Sequence, residues 1–277
     1  MKRRDFIKIL AMGTGMGAFP SAQSVLAATD SKDSPLIQIK DSILKAKDYN
    51  KHFADDIILR GVAYNRLNNV VARLGRLQRL VGYANFSLIS FDQALKYASN
   101  YSKVGDFTRE EKDFLEAIFY TKASNYGFFG EKPLVHLTDS VSRRKLTKIN
   151  GTGHYVFKSD SLTLYNKIRK DVGSSIVLTS GVRGIVKQMY LFLNKTIDSE
   201  GNLSMASRSL APPGHSFHGV GDFDVGKSGF GYRNFTEDFA HTEEFKRLSD
   251  LGYVNIRYPI ENHLGVRFEP WHIKVIV

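Results

Sequence analysis

The hydrophobic pattern of the chain changes near residue 130, and no other feature of the sequence constrains the fold as strongly. Over residues 35–123, apolar residues recur at helical spacing, most regularly between Ile57 and Val81. Beyond residue 130, short runs rich in β-branched and aromatic residues alternate irregularly with helical patterns. This combination predicts an α+β fold, with a helical N-terminal region over residues 29–130 and a C-terminal domain over residues 131–277.

Local motifs predict the individual elements. Ser90 with Gln93, and Thr108 with Glu111, are capping patterns that favour a helix after the first residue of each pair. Further helices are expected at residues 162–172, 185–193 and 238–251. Strands are expected at residues 154–158, 175–179, 254–256, 265–268 and 272–277. Their irregular order predicts a small antiparallel sheet flanked by helices rather than repeated parallel βαβ units.

Residues 1–28 are typical of an export signal. A basic start is followed by a modestly apolar, glycine-containing stretch from Ile7 to Phe19 and by small residues around Ala27. The run at residues 3–8, Arg-Arg-Asp-Phe-Ile-Lys, resembles the twin-arginine export signal. An ordinary secretory signal or a disordered basic tail is the alternative. The apolar stretch is too short for a membrane span, so we expect an exported protein, periplasmic or associated with the cell wall, without a stable span after signal removal.

Composition narrows the chemistry further. The chain has no cysteine, which excludes disulfides, thiolate metal ligands and a cysteine nucleophile. Any metal must therefore be held by His, Asp, Glu or water. The formal net charge of +11 suits an anionic partner. No nucleic-acid-binding motif is present in the sequence, so we expect no nucleic-acid partner.

Four arginines interleave with the apolar residues of the helical pattern that ends at Val81; they are Arg66, Arg73, Arg76 and Arg79. Long charged side chains commonly cover the flanks of a helix, which favours a solvated basic face. The alternative is a surface that binds an anionic wall polymer or another partner.

Three segments carry residues of the kind that bind metals or catalyse reactions. Residues 213–224 combine a Pro- and Gly-containing loop with histidines and two acids spaced two apart, which face the same side if they lie in a strand. Residues 269–272, Glu-Pro-Trp-His, add a carboxylate and a histidine, and residues 180–183, Ser-Gly-Val-Arg, are followed by Gln188. Catalytic zinc needs three protein ligands, an open position and a nearby base. Each segment alone has a structural explanation, whereas their combination indicates a catalytic metal site.

The three segments together resemble the zinc D-alanyl-D-alanine carboxypeptidases of the VanY and VanX type. The shared patterns are Pro-Gly-x-Ser-x-His-x-x-Gly at residues 213–221, Glu-Pro-Trp-His at residues 269–272, and Ser-Gly-x-Arg with a later Gln. The resemblance covers roughly residues 150–277. These enzymes belong to a wider group of zinc peptidases that includes the lysostaphin-like enzymes.

The resemblance implies a role for each matching residue. It gives His218 and His272 as the first and last zinc ligands, with Asp224 between them. It gives Glu269 as the catalytic base, and Arg183 as the arginine near the reacting peptide. The expected substrate-binding residues are Ser180, Gln188 and Ser216.

One departure from the family pattern leaves the aspartate ligand open. The family usually places it seven residues after the first histidine, and the stretch here is one residue shorter. Related peptidases with a Gly-Leu-Asp-x-Asp run use the last acid, which favours Asp224 and leaves Asp222 as a supporting acid or a turn residue. His215 is a second candidate ligand, although its place in the motif argues against it. We expect His241 and His263 to be structural or to lie at the rim.

The resemblance implies a zinc-dependent peptidase that hydrolyses D-Ala-containing stem peptides of peptidoglycan, as a D,D- or L,D-carboxypeptidase. An endopeptidase of peptidoglycan is the nearest alternative. A non-catalytic wall-binding protein on the same fold is another. The last is an exported anion-binding protein that uses the arginine-containing helix.

Overall fold

Helices form the first part of the chain, as predicted. The structure is a computed structural model that describes residues 35–275, so the predicted export signal lies outside the described residues. The first five α-helices are α1 (Pro35–Lys47), α2 (Gly61–Val81), α3 (Tyr83–Phe86), α4 (Phe91–Asn100) and α5 (Arg109–Tyr120). Both predicted capping boxes are confirmed: the hydroxyl oxygens of Ser90 and Thr108 accept hydrogen bonds from the backbone N–H groups of Gln93 and Glu111.

The second part of the chain mixes short strands with helices and confirms the α+β class. Its elements are β1 (Leu146–Ile149), β2 (His154–Phe157), α6 (Asp160–Val172), β3 (Ile176–Ser180), α7 (Ile185–Asp198), α8 (Leu203–Ser207), β4 (Phe223–Lys227), α9 (Glu243–Asp250) and β5 (His272–Ile273). Strands β1 and β2 form a hairpin, and β3, β4 and β5 form an antiparallel sheet in that order. The central strand β4 therefore has a neighbour on each side.

Three predicted elements are wrong in detail. Residues 254–256 contribute a single bridge, Ile256 to Ile273, rather than a strand. Residues 265–268 form no strand, because the N–H of Arg267 donates to the carbonyl of Arg208 instead of a strand neighbour. The predicted helix over residues 238–251 is interrupted at Thr242, whose hydroxyl caps α9 by accepting the N–H of Phe245.

One hydrophobic core joins the helical region to the second part of the chain. Helix α7 buries Met189, Phe192 and Leu193, and these residues belong to the same cluster as Leu67 and Leu77 of α2. A separate cluster packs α6 and α9 against the sheet around β3, β4 and β5. The boundary at residue 130 stays a prediction, but the helices before it pack directly against the element that leads into the cleft described below.

Two of the four arginines of α2 depart from the predicted solvated basic face, whereas Arg79 is exposed as predicted. The Arg73 guanidinium forms two hydrogen bonds, of 2.9 and 3.1 Å, with the carboxylate of Glu111 and further ones with the carbonyls of Val104 and Gly105. Arg76 also donates to the Val104 carbonyl. The loop before α5 bends over α2, so these two side chains bind protein rather than water. Arg73 and Arg76 are therefore not available to a ligand that binds along α2.

Within residues 35–275, no helix has the length and apolar character needed to cross a membrane.

Candidate active site

Strand pairing brings together residues that are far apart in the sequence. In the antiparallel sheet, Asp224 of β4 lies opposite Ser180 of β3 on one side and opposite His272 of β5 on the other. The carboxylate of Asp222, two residues earlier, also reaches His272, as the two-residue spacing predicted. The register of three short strands therefore fixes the centre of the site.

The turn before β4 supplies the first histidine. His218 lies in a 3-10 turn, Phe217–Gly219, and is fully buried. Its Nδ1 lies 2.8 Å from the carbonyl oxygen of Gly181, which can only accept a hydrogen bond. This contact places the proton on Nδ1 and leaves Nε2, 3.2 Å from Oδ1 of Asp224, as a nitrogen with a free lone pair.

The second histidine is oriented through its other ring nitrogen, Nε2. Nε2 of His272 lies 3.0 Å from Oδ2 of Asp222, a carboxylate that orients the ring. Its Nδ1 therefore faces the other acids, at 3.3 Å from Oε2 of Glu269 and 3.7 Å from Oδ1 of Asp224. Each histidine thus has one nitrogen bound to a supporting oxygen and one directed towards a common point.

His218, Asp224 and His272 form a group that could hold a metal ion, with one ligand atom from each lying within 4.8 Å of the others. Nε2 of His218 and Oδ1 of Asp224 are buried and have no hydrogen-bond partner among the described residues. Leaving such atoms unpaired in the interior is costly. Two imidazole nitrogens and a carboxylate oxygen are donors that suit a divalent transition metal. The residues present therefore fit a metal.

Asp222 occupies a different place from Asp224. Its two oxygens accept hydrogen bonds from the Arg257 guanidinium, at 2.7 and 3.1 Å, and from the N–H of Val275. Together with the contact to His272, these bonds use the carboxylate fully. The geometry favours Asp224 over Asp222 as a ligand and leaves Asp222 to orient the second histidine.

The surrounding charges act on the two imidazoles in opposite directions. Burial, together with the positive charge of Arg183, lowers the pKa of His218 to about 4. Burial alone would lower the pKa of His272 as well, but hydrogen bonds to Asp222 and Glu269 raise it to about 9. The site therefore favours one positive charge on the side where the carboxylates meet, which is the charge that a bound cation would replace.

The other predicted site residues gather around a cavity of about 350 Å³. Its walls include Asp224, His272, Glu269, Arg183, Ser180, Gln188 and Ser216, all singled out from the sequence. We call this cavity the catalytic cleft. The backbone N–H of Glu269 donates to the carbonyl of Tyr258, which holds the acid beside the second histidine. The structure brings the predicted residues together, and their individual roles stay predictions.

Sequence reasoning missed several residues of the cleft. Tyr83 of α3 lines it, although this helix belongs to the N-terminal region and carries no motif. Tyr258 lines it too, and its ring lies edge-on to His272 with centroids 5.2 Å apart. The Arg-Tyr-Pro run at residues 257–259 was a visible signal for Tyr258 and for the arginine that holds Asp222. No signal in the sequence indicated Tyr83.

The remaining histidines lie outside the triad. Nδ1 of His215 is within 3.1 and 2.9 Å of the carbonyls of Gly130 and Glu131, and its ring packs against Phe128. The alternative of His215 as a ligand is therefore not supported. His241 and His263 are exposed.

Two facing histidines and an aspartate, with a glutamate beside them at the wall of a cleft, are a set of residues that metal-dependent hydrolases use. Residues 157–276 match the model of the VanY family, described as D-alanyl-D-alanine carboxypeptidase. The predicted resemblance of the C-terminal part of the chain is thus confirmed. At the level of the family, the match supports a carboxypeptidase-like peptidase that acts on peptidoglycan. The search of curated proteins found no match.

Proposed function

We propose that the protein is a zinc-dependent peptidase that removes D-Ala from stem peptides of peptidoglycan, as a D,D- or L,D-carboxypeptidase. The observation that carries the proposal is the buried triad at the cleft wall, with two ligand atoms that have no other partner among the described residues. The VanY match supports the substrate class. The predicted signal at residues 1–28 supports export to the compartment where that substrate lies.

Zinc would be held by Nε2 of His218, the carboxylate of Asp224 and Nδ1 of His272. Nitrogen and oxygen donors without a thiolate are a common set for catalytic zinc. When bound, zinc would supply a Lewis acid that polarises a scissile carbonyl and makes a water molecule more acidic. The carbonyl of Gly181 and the carboxylate of Asp222 fix the two imidazole rings in the orientation that this binding needs.

Glu269 is the proposed general base. Its Oε2 lies 3.3 Å from the ligating nitrogen of His272, so it reaches a water molecule placed beside the triad. The carboxylate would take a proton from that water during attack on the amide and return it to the leaving amine. Its backbone bond to Tyr258 keeps it within reach through both steps.

Arg183 is the proposed anion-holding residue of the cleft. One of its terminal nitrogens lies 3.6 Å from Oδ2 of Asp224, and its Nε is buried without a partner among the described residues. A planar guanidinium with free N–H groups can hold a substrate carboxylate or a developing oxyanion. Gln188 donates to the carbonyl of Ala211, which leaves its side-chain oxygen free to accept from a substrate amide.

The proposal is tested with a defined mixture of muropeptides that end in D-Ala or D-Ala-D-Ala. The purified protein is incubated with zinc or with a chelator, and the products are identified by mass. Zinc-dependent loss of one D-Ala is expected, and the substrate that loses it identifies the bond. Cleavage inside the peptide or a crosslink would make the protein an endopeptidase instead.

A variant separates catalysis from binding. Glu269→Gln should lose turnover yet retain zinc, because the substitution removes the base and leaves the three proposed ligands in place. Zinc content by mass spectrometry and muropeptide binding by calorimetry are measured alongside activity. If wild type binds zinc and muropeptides without cleaving any of them, the protein is a wall-binding protein on a peptidase fold.

A further inference from the structure

A second cavity adjoins the catalytic cleft. This cavity has a volume of about 400 Å³ and shares four wall residues with the cleft: Leu191, Ser209, Leu210 and Arg267. Its remaining walls come from α7 and from Tyr49 and Asn50. The shared residues place the two cavities next to each other, so a substrate bound at the triad has the second cavity beside it. We call the second cavity the distal groove.

Two cations line the distal groove, Arg267 and Lys195. Within residues 35–275, no carboxylate lies within 4.0 Å of either charged group. Burial, and next the positive charge of Arg267, lowers the pKa of Lys195, with Asp198 opposing the shift. The two cations are therefore close enough to repel each other. Asp198 also lines the distal groove, so two cations share the cavity with one acid, and the remaining positive charge favours binding of an anion.

The guanidinium of Arg267 is held ready for a ligand. It lies between two aromatic rings, 4.7 Å from the centroid of Tyr49 and 4.9 Å from that of Trp271. One terminal nitrogen donates to the carbonyl of Phe235 at 2.9 Å. Its Nε is buried and has no hydrogen-bond partner in the described part of the chain. This stacking fixes the plane of the guanidinium and leaves donor capacity unused.

Helix α7 lines both cavities, so its rise per residue gives the distance between them. Gln188 and Leu191 line the catalytic cleft, while Leu191 and Lys195 line the distal groove. Positions three and seven residues after Gln188 lie on the same face of a helix. At 1.5 Å per residue, Lys195 is about 10 Å beyond Gln188. An extended peptide rises about 3.3 Å per residue, so this distance corresponds to about three substrate residues.

We propose that Arg267 and Lys195 form a subsite for a carboxylate of the substrate, about three residues from the scissile bond, and that it selects acidic peptides. The inference rests on the proposed function, because it assumes that a peptide is cut at the triad. It adds a recognition element that lies away from the reacting bond. Such an element raises kcat/KM for substrates that reach it, and it gives no such gain to shorter or uncharged substrates.

The test uses pairs of synthetic peptides that end in D-Ala-D-Ala, together with matching pairs that end in a single D-Ala after an L-residue. Within a pair, the peptides differ only in a side-chain carboxylate or its carboxamide, placed two, three or four residues before the scissile bond. The holoprotein is compared as wild type, Lys195→Gln, Arg267→Gln and Lys246→Gln. Lys246 is exposed on α9 and does not line the groove, so its variant controls for the loss of one positive charge.

Wild type should cleave the carboxylate peptide with a kcat/KM about tenfold above that of the carboxamide when the group is three residues away. Lys195→Gln should reduce this ratio about threefold or more, and Lys246→Gln should leave it unchanged. Arg267→Gln should reduce it further. If the arginine variant does not fold, Lys195→Gln and Lys195→Glu decide the question, and the second should abolish the preference.

Failure of the subsite differs from failure of the proposed function. Equal cleavage of both peptides at every position, in wild type and in Lys195→Gln, would overturn the subsite while the peptidase stands. If no peptide with either ending is cleaved, the proposed function fails, and binding decides the subsite. Binding of both peptides to Glu269→Gln is then measured by calorimetry. A carboxylate preference that Lys195→Gln removes supports the subsite, and equal binding overturns it.

Discussion

Two buried ionic clusters of this protein differ in how completely their atoms are bonded. In the first, which joins the loop after α1 to the residue after α8, Nη1 of Arg208 lies 2.7 Å from Oδ1 of Asp56. The same guanidinium donates to the carbonyls of Lys51 and Tyr49, and Asn202 donates to the other Asp56 oxygen. Every polar atom of this pair therefore has a partner within the protein.

The catalytic cleft shows the opposite arrangement. In the described part of the chain, ten buried side-chain nitrogen and oxygen atoms have no hydrogen-bond partner. Six of them belong to residues that line the cleft, and a seventh is Nε2 of His218 in the triad behind it. Unpaired buried atoms are costly and rare in native proteins. Their concentration at one place indicates a site completed by ligands from outside the chain.

Cavity size alone would have identified the wrong place. The Asp56–Arg208 pair lines a cavity of about 680 Å³, whereas the catalytic cleft measures about 350 Å³. The charged groups that line the larger cavity already form ion pairs with one another, whereas the smaller cavity contains groups that have no partner among the described residues. Buried charges that are paired within the protein stabilise its fold, whereas buried charges without partners are available to bind a ligand. Substitutions in the two clusters should therefore separate loss of stability from loss of metal binding.

The largest expected effect is on catalysis at the triad. Asp224→Asn should lower turnover at least about a thousandfold, or about 4 kcal/mol in activation free energy, because the metal loses its only proposed anionic ligand. Zinc content should fall with activity. The unfolding midpoint of the metal-free protein should fall only slightly, since the contacts of Asp224 with His218, Arg183 and His272 are long, at 3.2 to 3.7 Å. Asp238→Asn is the matched control, because it removes the same charge from a half-exposed ion pair with Arg233. A metal-free protein that unfolds readily in this variant would place Asp224 among the structural charges.

In the Asp56–Arg208 cluster, we expect a substitution to lower stability and to leave zinc binding unchanged. Asp56→Ala leaves the Arg208 charge buried without its partner, which should cost about 3–5 kcal/mol of unfolding free energy. Urea denaturation measures the loss, and Asp106→Ala, at an exposed position, should change stability by less than about 0.5 kcal/mol. The folded fraction of Asp56→Ala should bind zinc as wild type does. Weakened zinc binding there would mean that the two clusters are coupled.

The site could be predicted from the sequence more fully than the fold around it. His218, Asp224 and His272 lie in short motifs whose residue types suit a metal, and such types can be recognised in local sequence. The structure brings the three side chains together, and their roles as ligands stay predictions. The α+β class and the two capping boxes were also predictable, because helical spacing and capping depend on neighbours within a few positions.

Contacts between distant segments could not be predicted in this way. The strand expected at residues 265–268 is absent because Arg267 bonds to the backbone of Arg208, a partner that no local pattern indicates. Tyr83 reaches the cleft only because α2 and α7 pack together. Arg73 and Arg76 of α2 have the spacing of exposed residues, because the periodicity of a helix does not show that a distant loop covers it.

Asp222 provides an intermediate case that sharpens the comparison. It is bonded on all sides, like Asp56, but one of those bonds goes to a proposed ligand. Asp222→Asn should therefore weaken zinc affinity by about 10- to 100-fold without abolishing it, because the second imidazole loses its orienting carboxylate. Competition with a chromogenic chelator measures the change. A loss as complete as that of Asp224→Asn would make Asp222 a ligand.

The smallest expected effect is the dependence of stability on pH. Burial alone would raise the pKa of Asp56, but hydrogen bonds from Arg208 and Asn202 hold it below its ordinary value of 3.8. As pH falls, the unfolded chain binds the proton first, so the stability that the ionised pair contributes is complete well above pH 3.8 and is lost progressively as pH falls through the folded-state pKa. The difference in unfolding free energy between wild type and Asp56→Asn should accordingly shrink as pH is lowered from 6 towards 3.

Urea titrations of both proteins across this range, with chelator present, isolate the contribution of Asp56. The chelator matters because loss of metal at low pH would lower the stability of both proteins and obscure the comparison. A difference that stays constant with pH would mean that Asp56 remains ionised throughout or acts only through shape. Its contacts with Arg208 and Asn202 would then stabilise the fold through packing rather than through charge. The Asp56–Arg208 cluster and the catalytic cleft would then differ only in the geometry of their contacts.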